Sequence, residues 1–247
     1  METNLVDARQ KASFLAAASR HSGDWLTALP IASCGLRLDD EAIRVAVALR
    51  LGLSLCVPHI CRCGSPVDAW GLHALVCKHA PGRTMRHQAL NDIICRAFAS
   101  AGVPAMKEPT GLSRSDGKRP DGLTLIPWQN GKALAWDVTV ATTLADSYID
   151  ASASSAGSAA EMAASRKIAK YADLPASYIF QPIAFETLGT MNTSASIFLS
   201  DLGRKIGSNS GEEREVHFFF QRLSLTLQRF NSVLLHNSFA VEADPDL

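Results

Sequence analysis

The stretch Arg119-Pro120-Asp121-Gly122-Leu123-Thr124-Leu125-Ile126-Pro127-Trp128-Gln129-Asn130-Gly131-Lys132-Ala133-Leu134-Ala135-Trp136-Asp137-Val138-Thr139-Val140 reads as two β-strands joined by a turn. Residues 123–126 and 133–140 are short apolar runs, and Pro127, Asn130 and Gly131 between them are residues that turns favour. Asp121 enters the first strand, while Asp137 lies inside the second, within Ala135-Trp136-Asp137-Val138. Burying an unpaired carboxylate is expensive, so cations, hydrogen-bond donors or a metal ion must surround Asp137.

Register decides whether the two acids meet. A two-residue turn at Asn130-Gly131 sets Asp121 opposite Val140, about 10 Å along the strand from Asp137 at ~3.3 Å per residue. A five-residue loop over 127–131 instead pairs Ile126 with Lys132 and sets Asp121 opposite Asp137, with the side chains on one face and Cβ atoms roughly 5 Å apart. In that second register the carboxylates make a site for Mg²⁺, a hard cation that keeps several waters and shares its ligation with a phosphate.

Such a pair needs a cation nearby to orient or deprotonate an attacking water and to offset developing charge. Lys167 and Lys170 lie at i and i+3 on a helix predicted over 159–172, with Tyr171 at i+4 of Lys167, so one face presents both amines to the sheet edge. Glu108, ahead of Asp121, is a further candidate oxygen ligand. For the lysines and for Glu108 the competing reading is a solvated surface.

Outward from the hairpin, helical spacing dominates. Residues 5–20 are rich in Ala, Leu, Gln and Lys and predict a helix, and a short one follows at Ser22-Gly23-Asp24, capped by Asp24 ahead of Trp25 and Leu26. Asp39 or Asp40 caps a third, whose apolar residues Ile43, Val47 and Leu51 recur until Gly52 ends it. Residues 85–101 return to that spacing through Leu90, Ile93, Ile94 and Phe98. Residues 178–185 read as a strand, and helices over 194–206 and 212–235 precede an acidic tail with Glu242, Asp244 and Asp246.

Residues 56–82 are dense in Cys, His, Gly and Pro. Cys61, Cys63, His73 and Cys77 form the pattern C-x-C-x9-H-x3-C, three thiolates and an imidazole, which is a ligand set that tetrahedral structural Zn²⁺ prefers. The first pair belongs on a tight turn at Gly64, and His73 and Cys77, four apart, share one side of a helical turn. Four ligands leave no open position, so the expected role is to fold a loop with little core of its own. His59 and His79 flank the cluster as substitutes, whereas Cys34, Cys56 and Cys95 read as small buried hydrophobes.

Composition bounds the rest. With 247 residues, 47% of them apolar and 19% charged, the chain reads as a soluble globular protein rather than a disordered or membrane one. Six cysteines without a secretion signal favour metal ligands over disulfides and a reducing compartment, cytosol or nucleus. A formal net charge of zero argues against strong nonspecific nucleic-acid binding, yet residues 78–119 hold eight Lys or Arg against three acids, a local excess of five.

In their order along the chain these parts resemble the restriction-like endonuclease domain, of PD-(D/E)XK type, at the C-terminus of non-LTR retrotransposon polyproteins. That family runs from a Cys-Cys-His-Cys knuckle through an Arg-His pair, an Arg/Lys-Pro-Asp strand and a second strand aspartate to a Lys-x-x-Lys-Tyr helix. Here these are Cys61/Cys63/His73/Cys77, Arg86-His87, Arg119-Pro120-Asp121, Asp137 and Lys167 to Tyr171. The likeness covers residues 20–235 and implies an α/β fold, a central mixed sheet flanked by helices, preceded by a helical segment (1–55) and a zinc knuckle with its following helix (56–100). The nuclease core then spans 101–210, and a C-terminal helix and tail span 211–247.

The resemblance further implies nicking of target-site DNA in the nucleus to prime reverse transcription, with element RNA and a reverse transcriptase domain of the same polyprotein as partners. Asp121 and Asp137 would bind Mg²⁺, Lys167 or Lys170 would assist the water with support from Glu108 and Tyr171, and Arg86, His87, Lys118 and Arg119 would contact DNA. Two departures stand out. Thr139 occupies the position two after Asp137 where many nucleases of the superfamily carry lysine, so the amine must come from the helix. The reverse transcriptase is missing, which reads as a truncated element, a fragmentary gene or a separately used domain. The runner-up is a zinc-containing relic that grips DNA or RNA without cutting, and a third reading is a purely structural protein.

Overall fold

The computed structural model describes residues 7–114 and 116–239; the acidic tail predicted at Glu242, Asp244 and Asp246, and the first two residues of the helix predicted over 5–20, lie outside them. The first helix, α1 (Ala8–Ala18), is capped by Asp7, whose carboxylate accepts from the Arg9 N–H. Asp24 is not a cap: it opens a short 3-10 turn (Asp24–Thr27) and its carboxylate lies 2.8 Å from His21 Nδ1. In α2 (Asp40–Leu51) the cap is Asp39, accepting from Ala42 N–H at 2.7 Å, and Gly52 closes the helix in the left-handed conformation. The apolar residues whose spacing marks this helix in the sequence do not face the core. Ile43, Val47 and Leu51 are exposed, and α2 buries Ala42, Val45, Ala46 and Leu49, the i, i+3, i+4, i+7 set of the neighbouring face.

Two short strands, β1 (His59–Ile60) and β2 (Pro66–Val67), pair antiparallel, and α3 (Leu72–Val76) follows. The long helix α4 (Gly82–Ser100) buries Arg86, Leu90, Ile94 and Phe98 along one side. The mixed sheet has the order β3 (Ala105–Lys107), β4 (Gly122–Thr124), β5 (Ala133–Ala141) and β6 (Tyr178–Glu186). The first three are antiparallel neighbours, and β6 joins β5 in parallel after a crossover through α5 (Ile149–Ser154) and α6 (Ser158–Lys170).

Helices cover the sheet on both faces. On one, the β5 residues Leu134, Trp136 and Val138 pack with α4 and with α7 (Thr193–Ser210) and α8 (Glu215–His236). On the other, Ala141 of β5 and Ala184 of β6 meet four alanines of α6. The expected helix-flanked mixed sheet is the fold. Among the described residues, no helix is long and apolar enough to cross a membrane.

Candidate active site and metal centre

The hairpin takes its turn from one sequence alternative and the facing of its acids from the other, and neither forms whole: Lys132 pairs with Gln129 rather than Ile126, and Asp121 does not stand opposite Val140. The hairpin closes as a two-residue turn, with Asn130 and Gly131 at φ 51° and 71° and Gln129 bridged to Lys132. Beyond the turn, however, Leu123 pairs with Ala135 and Gly122 with Trp136, so six steps on the first strand match three on the second. The extra residues bulge outward, leaving Leu125 and Ile126 exposed. Thr124 bridges the gap: its hydroxyl accepts from Leu134 N–H at 2.9 Å and donates to Ile126 C=O at 2.8 Å. Continued by one residue, this register sets Asp121 opposite Asp137.

Asp121 is fixed at several atoms. Its N–H donates to Trp136 C=O at 2.9 Å, and its own C=O accepts from the Glu108 N–H and from Asn91 Nδ2. One carboxylate oxygen accepts from Val138 N–H at 2.6 Å and lies 2.9 Å from His87 Nε2. That contact lifts His87 above the ordinary imidazole range, against burial, which lowers it; the charge of Asp137 adds to the lift. Asp137, only 2% exposed, receives Lys167 on one oxygen and Lys170 on the other, the latter at 3.5 Å. Tyr171 accepts from Lys170 Nζ at 2.8 Å and donates to Arg119 C=O at 2.6 Å. Burial, then the negative charges of Asp137 and Asp121, keeps that phenol protonated. Asp121, Asp137, His87, Lys167, Lys170 and Tyr171 thus form one constellation.

The other residues expected at this site lie elsewhere. Glu108 is turned to Arg119 in an ion pair and adds no oxygen to the carboxylate pair. Lys118 is exposed and pairs with Asp116 at 3.6 Å. Arg86 is corrected outright as a surface DNA contact: it is 3% exposed and donates to Asn231 Oδ1 at 3.3 Å. Desolvation pulls its guanidinium down to about 10, and its Nε has no hydrogen-bond partner. Its place explains this, because Arg86 stands four and eight residues before Leu90 and Ile94 on the stripe that α4 buries. Sequence reasoning missed Asn91, which joins the Trp136 indole N–H (2.8 Å) to the Asp121 carbonyl and so ties the buried ring to the strand mouth.

The Cys/His cluster assembles as its spacing implies. Cys61 and Cys63 ride the turn between β1 and β2, with Gly64 left-handed at φ 88° and its N–H donating to Cys61 C=O. His73 on α3 and Cys77 at its end face them, and one ligand atom from each of the four lies within 4.8 Å of all the others. This group can hold a metal ion, and three sulfurs with an imidazole suit zinc. Bonds from the Ser65 side chain and backbone lower the Cys63 thiol to about 6, towards the thiolate that a metal takes. His59 is not part of the cluster but stacks on Phe239 at 4.2 Å, and His79 is exposed. Of the cysteines read as buried hydrophobes, Cys34 is exposed while Cys56 and Cys95 are half-buried. Nor does the knuckle lack a core, since Val67 and Leu75 pack with Leu234 and Leu235 of α8.

The chain matches no protein-family model and no curated protein.

Among the described residues, no second group of three or more His, Cys, Asp or Glu is arranged to hold an ion, so any metal near Asp121 and Asp137 rests on a carboxylate pair. Two carboxylates suffice for Mg²⁺ when water and phosphate supply the remaining oxygens. Two amines and an imidazole surround the two acids.

Proposed function

We propose that this chain is a Mg²⁺-dependent DNA endonuclease of the restriction-like kind found in non-LTR retrotransposons, with a structural Zn²⁺ knuckle. The observation that carries this reading is the convergence of His87, Asp121, Asp137, Lys167 and Lys170, from three elements and the mouth of a fourth, on one spot of the sheet. A structural role needs one cation for a buried acid, not two amines and an imidazole around two acids.

Mg²⁺, when bound, would polarise the scissile phosphodiester and supply an activated water. Asp121 and Asp137 would hold it as hard oxygen donors. Lys167 and Lys170, which cover Asp137 from α6, would turn their charge to the phosphate as it arrives and stabilise the charge that develops in the transition state. His87 would serve Asp121 by orienting its carboxylate, rather than by touching DNA as the sequence implied. Exposed Lys118 and half-exposed Arg119 remain for the flanking phosphates. Target-site nicking in the nucleus, priming of reverse transcription and work beside a polymerase and element RNA follow from the family resemblance.

One observation favours the alternative of a non-cutting nucleic-acid binder: both acids already have protein partners, so the site is satisfied without metal. Supercoiled plasmid incubated with the zinc-loaded chain separates the two. Nicking in Mg²⁺ that stops in EDTA is expected; retention of DNA at low salt with no nicking under either condition would establish the binder instead.

A further inference from the structure

Helix α6 carries both site lysines in its last turn, yet it has no cap of its own, because Gly157 precedes it with φ 85° and offers no side chain. The missing acceptor comes from the sheet. Glu186, the last residue of β6, is 0% exposed, and its Oε1 accepts from Ala160 N–H at 3.1 Å in the first turn of α6. The Ala159 N–H and the Thr143 hydroxyl also favour its charged form, against burial, which is the larger influence and raises the carboxyl above its ordinary range. A carboxylate at a helix N-terminus satisfies orphan donors and complements the helix dipole.

The position of this contact matters because of what holds α6 to the sheet. Ala159, Ala160, Ala163 and Ala164 lie against Ala141 and Ala184, with Tyr148 packed against the group, so the interface is built mostly of methyl groups. Such a surface brings the helix close, which lets Lys167 and Lys170 reach Asp137, but it lacks the tall ridges that lock one element against sliding over another. Axial position must be set at the ends. At the C-terminal end Tyr171 bonds to Arg119 C=O, and at the N-terminal end Glu186 holds Ala160. From Ala160 to Lys167 is seven residues, about 10 Å of helix. In the parallel register Glu186 stands beside Ala141, four residues along β5 from Asp137.

We infer that Glu186 is a positioning residue for the lysine pair: its bond to the first turn of α6 fixes the helix along the sheet so that Lys167 and Lys170 meet Asp137. The inference rests on the nuclease reading only where it concerns cleavage; the placement of the amines stands apart from it.

The variants Glu186→Asp and Glu186→Gln test it. Aspartate keeps the carboxyl group but reaches about 1.5 Å less far, so α6 must shift or lose its cap. Glutamine keeps both reach and carbonyl acceptor and mimics the neutral acid that burial favours. Ile206→Val, in the core on the other face, controls for weakened packing in general. The first readout is pulsed acetylation of lysines followed by mass spectrometry, which needs no enzymatic activity. E186D should expose Lys167 and Lys170 to labelling several-fold faster than wild type, while E186Q and I206V stay within twofold.

The second readout is plasmid nicking. E186D should lower kcat by about 10²-fold, the cost of a roughly 1 Å misplacement, with KM for DNA changed less than threefold, and E186Q should recover most of the rate. Unchanged labelling in E186D, or equal labelling in E186D and I206V, overturns the inference. If wild-type protein does not nick at all, the nuclease reading falls and the labelling result alone decides the placement of α6.

Discussion

Asp137 sits among apolar neighbours in β5 and draws Lys167 and Lys170 from one helix face, while Asp121 across the ladder draws His87 from another. The His87 imidazole is raised by its bond to Asp121, so its folded pKa exceeds the unfolded value of about 6.5. The stabilisation from this pair is therefore fully present below the unfolded pKa and is lost as pH rises through the folded one. NMR titration without Mg²⁺ should place His87 above ordinary histidines, and Asp121→Asn should bring it down; a His87 titration that ignores D121N would show that the pair does not form in solution. Asp137 is legible because an acid in an apolar strand needs a partner, whereas Lys167 and Lys170, which by spacing alone read equally as solvated surface, were singled out by the family resemblance and meet Asp137 in the structure. Arg86 is not the DNA contact that the resemblance implies, and its spacing from Leu90 and Ile94 places it on the buried stripe of α4. Glu186 lies one residue past the strand predicted over 178–185, and nothing in its local sequence marks it as the carboxylate that caps a helix 26 residues away.

At the scale of elements, the hairpin depends on Gly122. A Cβ there would lie 2.0 Å from the Trp136 ring, which cannot retreat: it stacks on Phe98 at 4.7 Å and its N–H is bonded to Asn91. Gly122→Ala should therefore cost about 3 kcal/mol or more in denaturant unfolding, and a loss under 1 kcal/mol would mean that β4 does not lie against Trp136 as described. Turn chemistry alone could not reveal the three-residue bulge in this hairpin. The Asn130-Gly131 signal fixes the turn, but the register of the acids is set further along, where Thr124 lends a hydroxyl to the ladder. Helix α2 teaches the same point about periodicity. Ile43, Val47 and Leu51 carry more apolar area than the alanines of the next face, yet the residues that α2 packs inward are Ala42, Val45, Ala46, Ala48 and Leu49. Local pattern finds a helix; which face turns inward is decided by its neighbours.

Across the whole molecule α8 links the parts, with Phe219, Leu223 and Leu227 in the core of the sheet and Leu234 and Leu235 in that of the knuckle. Removal of metal from Cys61, Cys63, His73 and Cys77 should thus be felt by the entire fold. A strong chelator should lower the melting temperature of the full chain in one transition, with readdition of Zn²⁺ restoring it; an unchanged melting curve would remove the metal from the account. The fold class came with the family resemblance that the ordered parts carry; the sequence itself marks the hairpin, the helix after it and a strand over 178–185, whereas the parallel pairing of that strand with β5 is a finding of the structure. The cutting chemistry is the claim on which the functional reading turns. Its most direct test is single-turnover nicking of supercoiled DNA by the zinc-loaded chain and by Asp137→Asn, with both shown folded by circular dichroism. Mg²⁺-dependent nicking by the wild type and a loss of about 10³-fold or more in the variant are expected; equal rates in the two proteins would rule out cutting at Asp137.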